Sequence, residues 1–254
     1  MDFQSRLGSP PLFLLEVAVA SLDRALTAER AGAHRLELCD CLEVGGLTPH
    51  LKMIRKVRAA VQIPIHVLVR PRAGDFVYSS EEFATMKSEI AALKKEDVQG
   101  IVVGVLEPGR CVDRARTREL VDLAVPLPVT FHRAFDETPD LSESLESIIQ
   151  TGARRILTSG GAPDAGQGAP IIGKLIEQAS GRTLVLPGGG LHPANIAEVA
   201  RRTGAAEFHT GLGTVLPYSD PDIVKCESAI RACVTALAIR RNDRSPDAGF
   251  PPVP

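Results

Sequence analysis

The chain has 254 residues, of which 44% are hydrophobic and 24% are charged, and its formal net charge is -2. This composition is typical of a soluble globular protein, and the lack of a basic excess argues against nucleic acid and membrane surfaces as partners. The sequence holds no run of 18 apolar residues and no basic segment followed by an apolar one at its start. We therefore expect neither a membrane span nor a secretory signal.

The five cysteines form an odd and sparse set, which indicates reduced thiols rather than a disulfide framework. This favours a cytoplasmic location. The sequence also lacks a G-x-G-x-x-G turn after its first apolar run, so no nucleotide or other organic cofactor is predicted.

Short apolar or β-branched runs recur along the chain, and a loop and an amphipathic helical pattern follow each of them. In chain order the runs are LFLLEVAVA, HRLELC, PIHVLVR, GIVVGVL, PVTFHR, RRILTS, TLVLPGG and AEFHTG. Several helical patterns end in Gly-Ala directly before the next run, as a helix C-cap glycine requires. Eight strand-helix units in about 250 residues predict an α/β fold, a single-domain (β/α)8 TIM barrel with eight parallel strands.

A doubly wound sheet is the alternative fold, but it ordinarily uses fewer strands. We predict that the barrel domain spans residues 1–244. The last ten residues, 245–254, are rich in proline and polar residues and are predicted to be a disordered tail.

Side chains alternate along a strand, so every second residue of a barrel strand faces the interior. In the third run the apolar residues Ile65 and Val67 suit a surface covered by helices, which turns His66 and Arg70 inward. The same rule, applied to the other runs, turns these residues inward: Glu16, Glu37, Cys39, His132 and His209.

Ionisable groups from several strands therefore converge on one barrel mouth, the end at which such barrels carry their active sites. The candidate catalytic residues are Glu16, Glu37, His66, Arg70, His132 and, in the loop after strand five, Asp136. Two interpretations remain open. The group is either an acid-base site, since clustered ionisable residues in a cavity are often functional, or an ion-pair network that holds the barrel together.

The loops at the same end contain residues suited to binding a small anion. Loops after strands seven and eight are the usual phosphate site of this fold. The predicted ligand-binding residues are Arg72 and Asp75 after strand three, Arg133 after strand five, Thr158 and Ser159 after strand six, Gly188, Gly189 and Gly190 after strand seven, and His209 and Gly211 at strand eight.

Cys39 and Cys41 form a C-x-C pair at the end of strand two. Both thiols can point the same way from an extended backbone, and two sulfurs can hold Cu(I), which makes the pair a candidate metal site. Simple burial of Cys39 in the core is the alternative.

The motifs LELCDCLEVGGLTP, RPRAGDFVYS, GIVVGVL, VTFHRAFD, RILTSGG and GGGLHPANI together resemble the CutC family, named for copper homeostasis. The resemblance implies a TIM barrel and cytoplasmic copper handling, including Cu(I) binding through cysteine. Cys39 is the cysteine that matches the family motif. The shared motifs also include Glu37, Arg70, His132 and Asp136, and such acids and bases favour catalysis.

Two functions thus remain open: copper homeostasis with Cu(I) binding, or a lyase or isomerase acting on a small phosphorylated or oxyanionic metabolite. A hard-metal hydrolase is less favoured, because no H-x-H or H-E-x-x-H spacing occurs. The expected partner is a small molecule or metal ion. Base rates for soluble oligomers favour a homodimer.

Overall fold

The structure is a computed structural model that describes residues 13–239. Within these residues, eight strands alternate with eight α-helices. The strands are β1 (Leu14–Val19), β2 (Arg35–Leu38), β3 (Ile65–Leu68), β4 (Gly100–Val103), β5 (Val129–Phe131), β6 (Arg155–Thr158), β7 (Leu184–Pro187) and β8 (Glu207–Thr210). The helices are α1 (Leu22–Arg30), α2 (Leu51–Arg58), α3 (Ser80–Leu93), α4 (Arg114–Ala124), α5 (Leu141–Thr151), α6 (Ala169–Ala179), α7 (Ile196–Thr203) and α8 (Ile223–Ile239).

The eight strands form one parallel sheet in the order β7-β6-β5-β4-β3-β2-β1-β8. Strands β7 and β8 are in contact, which brings the two edges of the sheet together into a barrel. The predicted (β/α)8 TIM barrel is therefore confirmed. The predicted tail, residues 245–254, lies outside the described residues.

The hydrophobic core lies between the barrel and the surrounding helices. Leu36, Leu38, Ile65, Val67 and Phe131 point outward into it and are fully buried. Outward apolar residues at every second position are what the alternation in the sequence predicts, and the residues between them are left for the interior.

Local sequence signals set several helix ends. Ser79 and Glu82 form a reciprocal capping box at the start of α3, and Gly152 and Gly204 end α5 and α7 in the left-handed conformation. These glycines are two of the predicted stop signals. Within residues 13–239, no helix has both the length and the hydropathy needed to cross a bilayer.

Candidate active site

A cavity of about 310 Å³ opens at the carboxyl ends of the barrel strands. We call it the mouth cavity. Glu37 and His209 line it from β2 and β8, and His132 lines it from the end of β5. Its volume is at the lower end of the roughly 300–1,000 Å³ typical of small-molecule sites. The cavity therefore suits a small metabolite.

Below the mouth cavity, the barrel interior holds a network of buried ion pairs instead of the usual branched apolar residues. Glu16 of β1 pairs with Arg35 of β2. Arg35 Nη2 lies 2.8 Å from Glu207 Oε2, and Arg155 Nε lies 2.7 Å from the same oxygen. We call these four residues the ionic layer. Of these four residues, Glu16 is the one that the sequence predicted to face the interior.

Glu16 is ionised within this layer. Burial alone would raise its pKa, but Arg35 and hydrogen bonding to His209 outweigh burial and hold the pKa of Glu16 well below its usual range. His66 is 3% exposed, and its Nδ1 lies 3.5 Å from Glu16 Oε2. Burial lowers the pKa of His66 to about 4, so this imidazole is neutral at physiological pH. Both residues lie beneath the mouth cavity and outside its wall.

Glu37 and His209 connect the ionic layer to the mouth cavity. His209 Nδ1 lies 2.7 Å from Glu16 Oε1 and 3.2 Å from Glu37 Oε2. Burial, reinforced by the charge of Glu16, raises the pKa of Glu37 to about 7. Burial would lower the pKa of His209, but the two carboxylates outweigh it and raise that pKa. A proton can therefore reside on either group near neutral pH.

The charges of this region balance when one proton is shared. Three carboxylates, Glu16, Glu37 and Glu207, face Arg35, Arg155 and His209. Ligand atoms of Glu16, Glu37 and His209 all lie within 4.8 Å of one another, a spacing compatible with a metal ion. Arg35 already neutralises Glu16, however, so a proton on His209 or Glu37 completes the balance without a cation. The donor set suits proton transfer better than metal binding.

His132 lines the cavity and has one ring nitrogen that is free to act as a donor. Its Nδ1 accepts the backbone N–H of Ala134 at 3.1 Å, which places the proton of the neutral ring on Nε2. Within residues 13–239, this buried Nε2 has no hydrogen-bond partner. Burial, and then the charge of Arg70, lowers the pKa of His132 to about 3. The ring is therefore a neutral donor rather than a base.

Arg133 supplies positive charge at the rim of the cavity. Its Nε donates to Asp136 at 2.8 Å and its Nη2 donates to Ser159 Oγ at 2.9 Å, while 44% of its side chain is exposed. Gly189 has φ +89, and a Cβ there would lie 2.9 Å from Arg133 Cζ. Only glycine lets the guanidinium lie this close to the loop after β7.

Comparison with known proteins places the chain in a family. The sequence profile described as the CutC family matches residues 13–214, most of the described chain. The chain belongs to the CutC family. It is 44% identical over 204 residues to the human protein named copper homeostasis protein cutC homolog, covering 80% of this chain and 75% of that one. It is 46% identical over 196 residues to a CutC family protein of Mesorhizobium japonicum, covering 77% and 76%.

A solved CutC structure has the same fold. The crystal structure of a protein from Streptococcus agalactiae described as CutC superposes with a TM-score of 0.75 at 29% identity, and the match covers 78% of this chain and 98% of that one. The family resemblance inferred from the sequence motifs is thus confirmed.

Not every predicted site residue of this CutC protein reaches the mouth cavity. The following do: Glu37, Cys39, Arg70, His132, Arg133, Gly189, Gly190, His209 and Gly211. The following lie outside its wall: Glu16, Cys41, His66, Arg72, Asp75, Asp136, Thr158, Ser159 and Gly188.

Asp136 holds two loops together and does not line the mouth cavity. Its carboxylate accepts hydrogen bonds from Thr158 Oγ1, from the backbone N–H groups of Ser159 and Gly161, and from Arg133. The carboxylate joins the loops after β5 and β6 and fixes Arg133 in place. The expected direct catalytic role of Asp136 does not fit this position.

Arg70 and Arg72 are also engaged within the protein. Arg70 donates through Nη1 to the carbonyl oxygens of Val44 and Gly46, each at 2.9 Å, and through Nη2 to that of Gly74 at 2.8 Å. Arg72 Nη2 pairs with Asp75 at 2.9 Å inside its own loop. Both guanidinium groups therefore hold loops together, although Arg70 also lines the mouth cavity.

The two cysteines of the C-x-C pair separate. Cys39 is buried, lines the cavity and donates through its thiol to the carbonyl oxygen of Val19 at 3.6 Å. Cys41 has φ 48, in the left-handed region, so the assumption of an extended backbone through both residues was wrong. Burial and the negative charge of Glu37 raise the pKa of Cys39 well above its ordinary value. The thiol is therefore protonated at neutral pH.

Sequence reasoning missed four residues that shape the site: Arg35, Arg155, Glu207 and Tyr218. Arg35 and Glu207 could have been found, because they precede Glu37 and His209 by two positions and so share their inward direction. Tyr218 lies in the loop before α8, where no periodic pattern exists to orient it.

Proposed function

We propose that this CutC protein is a proton-transfer enzyme of isomerase or lyase type that acts on a small phosphorylated or oxyanionic metabolite in the mouth cavity. The observation that carries the proposal is the pair of Glu37 and His209, 3.2 Å apart at the cavity wall, with a pKa for Glu37 of about 7. A general base is most effective when its pKa lies near the working pH.

In the proposed reaction, ionised Glu37 removes a proton from a carbon beside a carbonyl group of the substrate. The electron pair of the broken C–H bond moves onto the carbonyl oxygen and forms an enolate. The neutral His132 donates its unpaired Nε2–H toward this oxygen as negative charge develops there. In an isomerisation, a hydroxyl on the deprotonated carbon gives its proton to the enolate oxygen and becomes the new carbonyl group, while Glu37 returns its proton to the former carbonyl carbon. In a lyase reaction, the carbonyl group re-forms, a carbon–carbon double bond forms as the bond to a leaving group on the next carbon breaks, and Glu37 gives its proton to that leaving group.

The rim of the cavity supports binding of an anionic group. Arg133 lies against Gly189, and Gly190 and Gly211 border the same space from the loops after β7 and β8. Phosphate groups are commonly held by the backbone of these two loops in TIM barrels. Such binding would fix the substrate with its reacting carbon above Glu37.

The test is exchange of substrate protons for deuterium. The wild-type protein is incubated in D2O with phosphorylated hydroxyketones and keto acids, and loss of the C–H signals beside the carbonyl is followed by NMR. We expect exchange at one carbon with the wild type, at least a hundredfold slower exchange with Glu37→Gln, and unchanged exchange with Glu177→Gln, a matched change on the exposed face of α6. Equal exchange by the wild type and Glu37→Gln would contradict the assignment of the base.

A second candidate function is copper homeostasis, the role for which the curated relatives are named. It is favoured by one observation: Cys39, His132 and His209 all line the mouth cavity. Thiolate and imidazole are ligands that Cu(I) accepts. The free state of all five cysteines supports a reducing, cytoplasmic setting for either function.

Competition with a chromogenic Cu(I) chelator tests this candidate. If the site binds Cu(I), the double variant Cys39→Ser/Cys41→Ser loses at least tenfold in affinity, while Cys111→Ser, which alters an exposed thiol, keeps the wild-type value. Equal affinity of all three proteins would exclude direct thiolate binding by the pair.

A further inference from the structure

Tyr218 lines the mouth cavity, but neither the sequence motifs nor the proposed reaction gives it a role. It belongs to the loop between β8 and α8 and lines the mouth cavity. It also lines a second cavity of about 340 Å³, between the start of α1 and the loop before α8. The side chain therefore stands between the two spaces, and 42% of the residue is exposed.

Two glycines directly after β8 allow the hydroxyl of Tyr218 to lie close to the backbone. A Cβ at Gly211 would lie 2.7 Å from this hydroxyl oxygen, and so would a Cβ at Gly213. Contacts this short do not occur between real atoms of this kind, so both positions must lack a side chain for the phenol to lie where it does. Gly211 and Gly213 thus leave space for the hydroxyl next to the end of β8, the strand that also carries His209.

Tyr218 lines the mouth cavity, and its hydroxyl can both donate and accept a hydrogen bond. Burial is the largest cause that raises the pKa of Tyr218. The phenol is therefore protonated at neutral pH. A protonated hydroxyl beside a cavity is a hydrogen-bond donor for a ligand.

We propose that Tyr218 is a substrate-contacting residue whose hydroxyl donates a hydrogen bond to an anionic oxygen of the ligand bound between Arg133 and Glu37. This inference rests on the proposed function, because it requires an anionic ligand in the mouth cavity. A phenol suits the task, since its rigid ring covers the ligand while its hydroxyl supplies direction. Phenylalanine at the same position would keep the cover and lose the donor.

The chain offers a spectroscopic reporter for this contact. It contains no tryptophan and two tyrosines, and the other one, Tyr78, is buried at 4% exposure outside the mouth cavity. In the variant Tyr78→Phe, tyrosine fluorescence therefore reports Tyr218 alone. We expect 2-phosphoglycolate to change this emission, and we expect uncharged glycerol at the same concentration to leave it unchanged.

Calorimetric titration with 2-phosphoglycolate and with inorganic phosphate measures the contribution of the hydroxyl. We expect Tyr218→Phe to bind 2-phosphoglycolate about tenfold more weakly than the wild type, as for the loss of one hydrogen bond to a charged oxygen, and Tyr78→Phe to bind it equally. Wild-type affinity in Tyr218→Phe overturns this inference and leaves the proposed function standing. Failure of the wild type to bind either probe contradicts both.

Discussion

Replacing Glu37 with glutamine is expected to change how the stability of the protein depends on pH. Glu37 is 6% exposed, and its pKa rises from the ordinary 4.5 to about 7 in the folded protein. A carboxyl with a raised pKa binds its proton more tightly when folded, so stability falls as pH rises from about 4.5 to about 7. The two pKa values differ by about 2.5, and each unit is worth about 1.4 kcal/mol, so the fall is on the order of 3 kcal/mol.

Glutamine resembles the protonated carboxyl and has no charge to bury. We therefore expect Glu37→Gln to match the wild type at pH 5 and to exceed its free energy of unfolding by on the order of 3 kcal/mol at pH 8 to 9. This figure is an upper value, because Glu37 is the charge that contributes most to raising the pKa of His209, and the variant loses that attraction while keeping the one from Glu16.

Urea unfolding of the wild type, Glu37→Gln and the exposed control Glu177→Gln at pH 5, 7 and 9 measures the effect. A difference between the wild type and Glu37→Gln that stays constant over this range would refute the reasoning, because it would show that Glu37 titrates normally.

Two further predictions concern the ionic layer and the rim. Glu16→Gln removes one partner of the buried Arg35, so we expect a loss of about 3–5 kcal/mol in the free energy of unfolding. A loss below about 1 kcal/mol would contradict the account of the ionic layer. Gly189→Ala places a Cβ against Arg133, so we expect calorimetry to show weaker phosphate binding than in Gly181→Ala, which has a similar φ of +77 but no neighbour within 4 Å. Equal phosphate binding by the two alanine variants would show that the rim is not the anion site.

The sequence was sufficient to predict the barrel and the inward direction of the charged residues. Alternation along β2, β5 and β8 correctly indicated that Glu37, His132 and His209 face the interior. Alternation shows whether a side chain faces the interior, but not how far along the barrel axis it lies. That position depends on strand register, and the register that pairs Glu16 with Arg35 and with His209 is a property of the assembled sheet.

Loop residues were the least predictable part of the site. Arg70 and Asp136 follow strands at the mouth, as catalytic residues of this fold do, yet both are engaged by backbone groups of neighbouring loops. Those partners come from segments 24 and 23 residues away in sequence, and no local pattern indicates them. Tyr218 lies in the loop before α8, where no periodic pattern predicts the direction of its side chain.

The central claim is that Glu37 exchanges a proton near neutral pH at the wall of the mouth cavity. Carbon-13 NMR of the labelled glutamate side-chain carboxyls, with Glu37→Gln to assign the resonance, tests it most directly. We predict that the Glu37 carboxyl titrates with a pKa of about 7. A Glu37 resonance that titrates near 4.5, as an exposed glutamate does, would contradict the account.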